Sequence, residues 1–193
     1  MAVNIDELRK DTLLRVDLLG QQVKLFTTWG LFSPKEIDEG SLLLLKHLEI
    51  KPTDDVLDLG CGYGVLGLLI AKLAPQGTTH LVDKDFVAIQ YARKNAKINE
   101  IKNVQVYLSN GFNDVPDDKK FDVIVSNLPA KTGKELHYIL LHDAKEHLKP
   151  GGKLYVVTIS GLKEYIKRTF QEVFGNYEKL GQSKSYSVAV ATK

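Results

Sequence analysis

Cysteine and long apolar runs are scarce in this chain of 193 residues. The one cysteine, Cys61, excludes a disulfide framework and a zinc ribbon, and it is typical of a protein from a reducing compartment. No apolar run approaches the ~18 residues that a membrane-spanning helix needs. The first eleven residues are polar and lack the apolar centre of a signal peptide. We therefore expect a cytoplasmic protein that does not associate with a membrane.

An excess of one charge is absent as well. The 26 basic and 24 acidic residues leave a net charge of +2, which is too little to bind nucleic acid through bulk charge alone. A local basic face is still compatible with this balance. Hydrophobic residues make up 44% of the chain, an ordinary share for a globular protein. A chain of this length is expected to form one main domain whose core needs no disulfide or metal.

Strand and helix patterns alternate from residue 54 onward. Short apolar strands are predicted over 56–59, 78–82, 104–108, 121–126 and 154–158. Helices are predicted over 37–48, 65–73 and 86–98, and along two apolar faces formed by Leu136, Leu140, Ala144 and Leu148 and by Leu162, Ile166, Phe170 and Val173. The alternation predicts an α/β fold with a parallel sheet that helices cover on both faces.

Two hairpins are predicted outside this alternating region. The first joins 14–19 to 21–26 around Gly20, and the second joins 177–180 to 186–191 around Gly181. A turn is also predicted at 149–152, where Lys-Pro-Gly-Gly ends the preceding helix.

Small residues and a carboxylate follow the first core strand. We assign five residues of this loop to a cofactor site: Asp58, Gly60, Cys61, Gly62 and Gly64. Gly62, Gly64 and Gly67 also match the dinucleotide pattern G-x-G-x-x-G, but Asp58 would repel a pyrophosphate. S-adenosylmethionine instead carries a sulfonium and an ammonium, which a carboxylate attracts. The alternative is a tight strand–helix turn in which Asp58 caps the helix and Cys61 is a packing residue.

Further polar residues follow the next two strands. Asp83 ends the second strand, where a carboxylate can accept hydrogen bonds from both hydroxyls of a ribose. Its alternative role is a solvated acid or a cap for the helix that begins at Phe86. Asn110 and Gly111 follow the third strand, where the amide can bind an adenine edge or serve only as a turn. We also assign Phe32 and Lys84 to the predicted cofactor site.

The region from Leu25 to Lys193 resembles class I S-adenosylmethionine-dependent methyltransferases. The markers are the segments 56–64, 126–129 (Ser-Asn-Leu-Pro) and 148–152, together with Asp83. Within that class the chain most resembles the methyltransferase-small family, which includes ribosomal RNA guanine-N2 methyltransferases, and its compact archaeal members above all. The segments 30–33 (Gly-Leu-Phe-Ser) and 133–135 (Gly-Lys-Glu) carry this closer resemblance.

The resemblance implies a Rossmann-like seven-stranded sheet of order 3-2-1-4-5-7-6 with an antiparallel last strand. It implies a methyltransferase domain over 35–193, preceded by an extension over 1–34 that holds the first hairpin. It also implies a catalytic set of Asn127, Leu128 and Pro129, in which the side chain of Asn127 and the carbonyl of Leu128 receive the target amine and Asn127 also borders the cofactor. Proline keeps this backbone extended, and no strong general base is required.

The chain departs from the family at two positions. The usual motif is Asn-Pro-Pro followed by an aromatic or other large residue, whereas this chain has Leu128 at the first proline and Ala130 at the last position. Alanine cannot stack on a flipped base, so either Phe32 or Phe112 stacks instead or the substrate is not a base. Many relatives also have aspartate where this chain has Asn110.

Several functions are compatible with these motifs. The leading hypothesis is transfer of a methyl group to an exocyclic amine of an RNA base, with guanine N2 in ribosomal RNA as the first candidate. Lys131 and Lys134 would then contact the RNA phosphates or lie in solvent. The alternatives are methylation of a protein glutamine or of a small molecule, a cofactor-binding module without turnover, and a nicotinamide dehydrogenase. No metal is predicted, because His137, His142 and His147 recur every five residues and do not share a helix face. These histidines are expected at the surface or half-buried, and the protein is expected to be a monomer or a homodimer.

Overall fold

Seven strands form one mixed sheet in the computed structural model, which describes residues 10–130 and 132–193. The described residues contain nine strands, of which the last seven form this sheet: β1 (Thr12–Leu18), β2 (Gln21–Thr27), β3 (Val56–Leu59), β4 (Thr79–Asp83), β5 (Val104–Leu108), β6 (Phe121–Asn127), β7 (Leu148–Ile159), β8 (Glu178–Gln182) and β9 (Tyr186–Thr192). The helices are α1 (Glu39–Leu45), α2 (Val65–Leu73), α3 (Phe86–Ile98), α4 (Lys134–His147) and α5 (Lys163–Phe174), with a 3₁₀ turn at Ser160–Leu162. Strands β1 and β2 form a separate hairpin.

The main sheet has the order β5-β4-β3-β6-β7-β9-β8. Counted from β3, this is the predicted order 3-2-1-4-5-7-6, and the prediction is confirmed. Strand β9 runs antiparallel to both β7 and β8, whereas β3 pairs in parallel with β4 and β6. The parallel strands therefore end at the same edge of the sheet, where ligands of such folds bind.

Helices cover both faces of this sheet. One hydrophobic cluster joins buried residues of α1, α2 and α3, and the other joins those of α4 and α5. Strand β3 is buried at all four residues because it lies between two strands and beneath two helical layers. Within the part of the chain that the structure describes, no helix is long and apolar enough to cross a membrane.

The N-terminal hairpin is tied to α3 by two asparagine amides. Asn95 accepts a hydrogen bond from the backbone N–H of Phe26 (2.7 Å) and donates to the carbonyl of Phe26 (2.9 Å). Asn99 makes the same pair of bonds with Lys24 at 2.8 and 2.6 Å. These amides form hydrogen bonds with the backbone N–H and C=O groups at the edge of β2, as a neighbouring strand would. Whether residues 1–34 form a unit apart from 35–193 stays a prediction.

Replacing Asn95 by alanine is expected to lower the thermal stability. Asn95 is fully buried, and its loss leaves the N–H and C=O of Phe26 without these partners. We expect a loss of about 2–4 kcal/mol and a Tm lower by about 4–16 °C in thermal unfolding followed by circular dichroism. Asn99→Ala, at a more exposed position of the same edge, should cost less. A loss from Asn95→Ala no larger than that from Asn99→Ala would contradict this account.

Several boundaries differ from the predicted ones. Helix α1 begins at Glu39 instead of Ile37, because Asp38 caps its start by accepting a hydrogen bond from the Ser41 N–H (2.9 Å), and it ends at Leu45 instead of Leu48. Strand β7 begins at residue 148 instead of 154, with Gly151 at a φ of 77° inside it. Gly181 lies inside β8 and not in the turn, at a register shift where any side chain would collide with His47.

The predicted apolar face of α4 is buried at Ala144 and at Leu148, which follows the helix, but not at Leu136 and Leu140. The buried residues of α4 are His137, Leu141 and Ala144, whereas Leu136 is 36% exposed. The reason is geometric: positions four residues apart drift around a helix that has 3.6 residues per turn. Leu136 and Leu140 line a cavity instead.

Candidate active site

A cavity of about 350 Å³ lies at the carboxyl ends of β3, β4 and β6. Most of the predicted site residues line it: Phe32, Asp58, Gly60, Cys61, Gly62, Asp83, Lys84, Asn110, Gly111, Asn127, Leu128 and Pro129. Gly64 and Lys134 do not line it; Gly64 is the N-cap of α2, and Lys134 begins α4 with its ammonium above the ring of Tyr165. Lys131 lies outside the described residues. The fold thus collects strand-end residues that are far apart in the chain.

The glycine loop is held by backbone and side-chain contacts. The N–H groups of Gly60 and Cys61 both donate to the carbonyl of Val82 at 2.9 Å. Gly62 has a φ of 55°, which favours glycine, and its N–H donates to Asp83 Oδ2 at 2.9 Å. Burial raises the pKa of the Cys61 thiol well above its ordinary value, which fits a packing residue and not a nucleophile.

Asp58 has one carboxylate oxygen that caps a helix and one that is unpartnered. Its side chain is 1% exposed, and Oδ2 accepts a hydrogen bond from the Gly67 N–H of α2 at 2.7 Å. Gly67 allows this approach because a Cβ there would lie 2.9 Å from that oxygen. Oδ1 is buried with no hydrogen-bond partner among the residues described. The capping alternative is therefore correct for one oxygen only, and the other is available to a ligand.

Burial dominates the ionisation of Asp58. Desolvation raises its pKa to about 7, and repulsion by Asp83 adds to that effect, while the Gly67 hydrogen bond opposes it. A ligand cation at Oδ1 would favour the charged form. The buried, unpartnered oxygen of Asp58 is thus suited to binding a positively charged ligand group.

Asp83 stabilises the loop while it faces the cavity. Besides accepting from Gly62, it accepts the N–H of Asp85 through Oδ1 at 2.9 Å. The cap of α3 is Asp85, whose Oδ1 accepts from the Val87 N–H at 2.8 Å, and not Asp83. Each oxygen of Asp83 has a second lone pair that can accept from a hydroxyl.

The side-chain amide of Asn127 has both hydrogens engaged. Its Nδ2 donates to Asp38 Oδ2 (2.8 Å) and to Ser41 Oγ (3.0 Å). Asn127 lines the cavity, so Oδ1 is the polar atom that this side chain can still offer there, as an acceptor. The backbone N–H of Leu128 donates to the carbonyl of Val157 at 3.0 Å, which continues the pairing of β6 with β7 one residue beyond Asn127.

A buried histidine holds the loop after Asn127. The carbonyl of Pro129 accepts from Thr132 Oγ1 (2.9 Å) and from His137 Nε2 (3.0 Å). His137 is fully buried, so the expectation of a surface or half-buried position was wrong for this residue. His142 is exposed and His147 is half-buried. No group of three potential metal ligands occurs in residues 10–130 and 132–193.

The two candidate stacking residues have different surroundings. Phe112 is buried and stacks on His147 with ring centroids 4.8 Å apart, so it is not available to a base. Phe32 is 63% exposed at the cavity, although Leu31 beside it is buried and the carbonyl of Ser33 accepts from the Tyr63 hydroxyl at 3.1 Å. An exposed aromatic ring on an anchored loop is suited to covering a planar ligand.

Sequence reasoning missed Asp38, Ser41, Thr132 and Tyr186, which also line the cavity. Asp38 followed by Ser41 is a helix-start signal, so its capping role was accessible from sequence. Its contact with Asn127 was not, because 89 residues separate the two. Tyr186, on β9, donates its hydroxyl to Asp38 Oδ1 at 2.8 Å across 148 residues.

Comparison with known proteins agrees with this geometry. The family model of the methyltransferase small domain matches residues 22–190. The chain belongs to the methyltransferase small domain family. This membership favours a methyltransferase over the nicotinamide dehydrogenase alternative.

Several relatives are similar to this chain over most of its length. An uncharacterized protein, YbxB, of Bacillus subtilis is 34% identical over 167 residues, which are 85% of this chain and 83% of YbxB. The ribosomal RNA small subunit methyltransferase C of Hamiltonella defensa is 36% identical over 176 residues, 89% of this chain and 51% of that protein. The chain thus spans about half the length of the methyltransferase C relatives.

A solved structure shares the same architecture. The 16S rRNA N2 G1207 methyltransferase RsmC of T. thermophilus, in complex with AdoMet and guanosine, superposes with a TM-score of 0.86. Its sequence is 27% identical, and the match covers 95% of this chain and 50% of that one.

Proposed function

We propose that this chain transfers a methyl group from S-adenosylmethionine to an exocyclic amino group of an RNA base, with guanine N2 of ribosomal RNA as the target. The observation that carries the proposal is the orientation of Asn127, whose amide oxygen faces the cavity because both amide hydrogens are engaged. The named activities of the methyltransferase C relatives and of RsmC support this choice of substrate.

The residues present suit S-adenosylmethionine. Asp58 Oδ1 is a buried, unpartnered acceptor that fits the ammonium of the methionine moiety. Asp83 would accept from the ribose hydroxyls, and Asn110 and Gly111 border the cavity where an adenine edge would lie. When bound, S-adenosylmethionine supplies a methyl group made electrophilic by the sulfonium.

Positioning is the main contribution of the protein to this reaction. Asn127 Oδ1 and the carbonyl of Leu128 would accept the two hydrogens of the amine and direct its lone pair at the methyl carbon. The nitrogen forms the new bond to carbon, the electron pair of the broken bond remains on sulfur, and the extra proton leaves the nitrogen for solvent. Orientation of this kind supplies about 7–11 kcal/mol of a barrier, so no strong general base is needed.

Undermethylated ribosomal RNA and labelled S-adenosylmethionine provide the direct test. We expect label in RNA, released by nuclease and not by protease, and N2-methylguanine as the modified nucleoside in mass spectrometry. Label released by protease would favour the protein-glutamine alternative. Cofactor binding without label in RNA, protein or small molecules at any salt concentration would overturn the proposal and favour a binding module.

Replacing Phe32 by alanine tests whether this ring stacks on the target base. Stacking contributes about 1–3 kcal/mol per base, so we expect KM for RNA to rise by about 5- to 150-fold at fixed salt. Phe32→Tyr keeps a ring and is the matched control, which should remain near wild type. A rise in KM for S-adenosylmethionine instead would assign Phe32 to the cofactor.

Phosphate contacts by the basic residues near the loop remain part of the proposal. Lys134 is exposed at the start of α4, close in sequence to the loop that follows Asn127. Lys134→Ala should weaken RNA binding at low salt, reduce its dependence on salt concentration, and leave cofactor affinity unchanged. An unchanged salt dependence would place this lysine in solvent only.

A further inference from the structure

Four side chains from three parts of the chain, Asp38 among them, form one hydrogen-bonded cluster. Asp38 Oδ2 accepts from the Ser41 N–H at 2.9 Å and from Asn127 Nδ2 at 2.8 Å, while Oδ1 accepts from the Tyr186 hydroxyl at 2.8 Å. Ser41 Oγ completes the set as the second acceptor for Asn127 Nδ2 at 3.0 Å. Asp38, Ser41, Asn127 and Tyr186 all line the cavity. Neither of the two partners of Asn127 in this set, Asp38 and Ser41, is part of its own strand.

We propose that Asp38 is a positioning residue that fixes which end of the Asn127 amide faces the substrate. The inference rests on the proposed function and deepens it, since it states what makes Asn127 an acceptor of amine hydrogens. Ser41 and Tyr186 complete the device by accepting from Asn127 and by holding the carboxylate of Asp38.

The physical reason is the symmetry of an asparagine side chain. Rotation of the amide by 180° exchanges a hydrogen-bond acceptor for a donor with almost no change in shape. An amine needs the acceptor, whereas a donor at the same place would face its hydrogens. An ionised carboxylate only accepts hydrogen bonds, so Asp38 selects the orientation in which Nδ2 faces it and Oδ1 faces the cavity.

Tyr186 keeps the carboxylate of Asp38 in place. The hydrogen bond to Asp38 raises the pKa of the Tyr186 hydroxyl to about 12, so this group stays protonated and donates at neutral pH. The ring also packs tightly against Gly40 of α1: a Cβ added at this glycine would lie only 2.7 Å from the ring. The start of α1 is thereby held against β9, and Asp38 has little freedom to leave Asn127.

The variant Asp38→Ser separates this role from helix capping. Serine and aspartate are both good N-caps, so α1 should keep its start, but the short serine side chain does not reach Asn127. We expect the single-turnover rate of methyl transfer to fall by about 100-fold, the loss that follows from misplacement of a reacting group. The dissociation constant of S-adenosylmethionine should stay within about twofold of wild type, because Asp38 acts through Asn127 on the target amine and not on the cofactor.

Glu39→Gln is the matched control, since it removes the same charge from the neighbouring, exposed residue. It should retain the wild-type rate. In an Asn127→Ala background the loss caused by Asp38→Ser should shrink to less than about threefold, because a residue that acts through Asn127 has no further effect once that side chain is gone. A full additional loss in that background, or a wild-type rate in Asp38→Ser alone, would overturn the inference.

A measurement without turnover keeps the inference separate from the proposed function. In ¹⁵N-labelled protein the side-chain amide of Asn127, assigned by its disappearance in Asn127→Ala, should exchange slowly with water. This protection should be lost in Asp38→Ser and retained in Glu39→Gln. If the amide of the wild type exchanges as fast as that of the exposed Asn113, Asp38 does not fix it. Slow exchange in a protein that methylates no RNA would instead refute only the proposed function.

Discussion

Asn127→Ala should lower the rate of methyl transfer by at least about 100-fold. The change removes the amide oxygen that faces the cavity and would hold the target amine, while the carbonyl of Leu128 alone leaves the amine free to rotate. Single-turnover kinetics with saturating RNA and labelled S-adenosylmethionine measure the effect.

Two controls accompany this variant. Cofactor affinity measured by calorimetry should stay within about threefold of wild type. Asn127 is proposed to orient the target amine, so its loss should affect the chemical step and not the binding of S-adenosylmethionine. Asn127→Asp keeps the shape but places a second carboxylate against Asp38, so it should lose activity and stability together. A rate for Asn127→Ala within threefold of wild type would mean that another group orients the acceptor.

Asp58→Asn should weaken S-adenosylmethionine binding by about 10- to 100-fold at pH 7, because a hydrogen bond to a charged group contributes about 1.5–3 kcal/mol. The wild type should bind more weakly as the pH falls from 7 to 5.5, since Asp58 has a pKa of about 7 and must lose its proton to face a cation. The variant should show no such dependence. Calorimetry in buffers of different ionisation enthalpy would also detect proton release on binding in the wild type alone.

Asp58→Asn should weaken cofactor binding at pH 7 but stabilise the ligand-free protein at that pH. The pKa of Asp58 is higher in the folded protein than in the unfolded chain, so the folded state holds more protons between about pH 4 and 7. The stability of the wild type that depends on this residue is therefore present at low pH and is lost as the pH rises towards 7.

Asp58→Asn lacks this loss, so its Tm relative to wild type should rise by about 5–10 °C between pH 5 and 7 without ligand. A constant difference in Tm across this range would show that Asp58 is already ionised in the folded protein. In that case the pH dependence expected for cofactor binding would fail as well.

The order of the elements was predictable because local patterns decide it. The segments Val65–Leu73, Phe86–Ile98 and Val104–Leu108 were predicted with their exact bounds, since apolar spacing and strand-ending residues act within a few positions. The glycine loop, Asp58, Asp83 and Asn127 were also accessible, because in a parallel sheet residues that follow different strands meet at one edge.

Contacts between distant segments were not accessible in this way. The sequence near Asp58 contains no sign that Gly67 would take one of its oxygens and leave the other unpartnered, because this depends on how closely α2 approaches β3. Phe112 and Phe32 are the same residue type, yet only packing against His147 removes the first from the cavity. Asp38, Asn127 and Tyr186 come from the start of α1, the end of β6 and the start of β9. The orientation of the Asn127 amide is therefore fixed only after these elements pack. The short-range patterns of this chain are enough to specify a sheet with polar strand ends. The orientation of the Asn127 amide at those ends depends on contacts that folding makes between residues 89 and 148 positions apart.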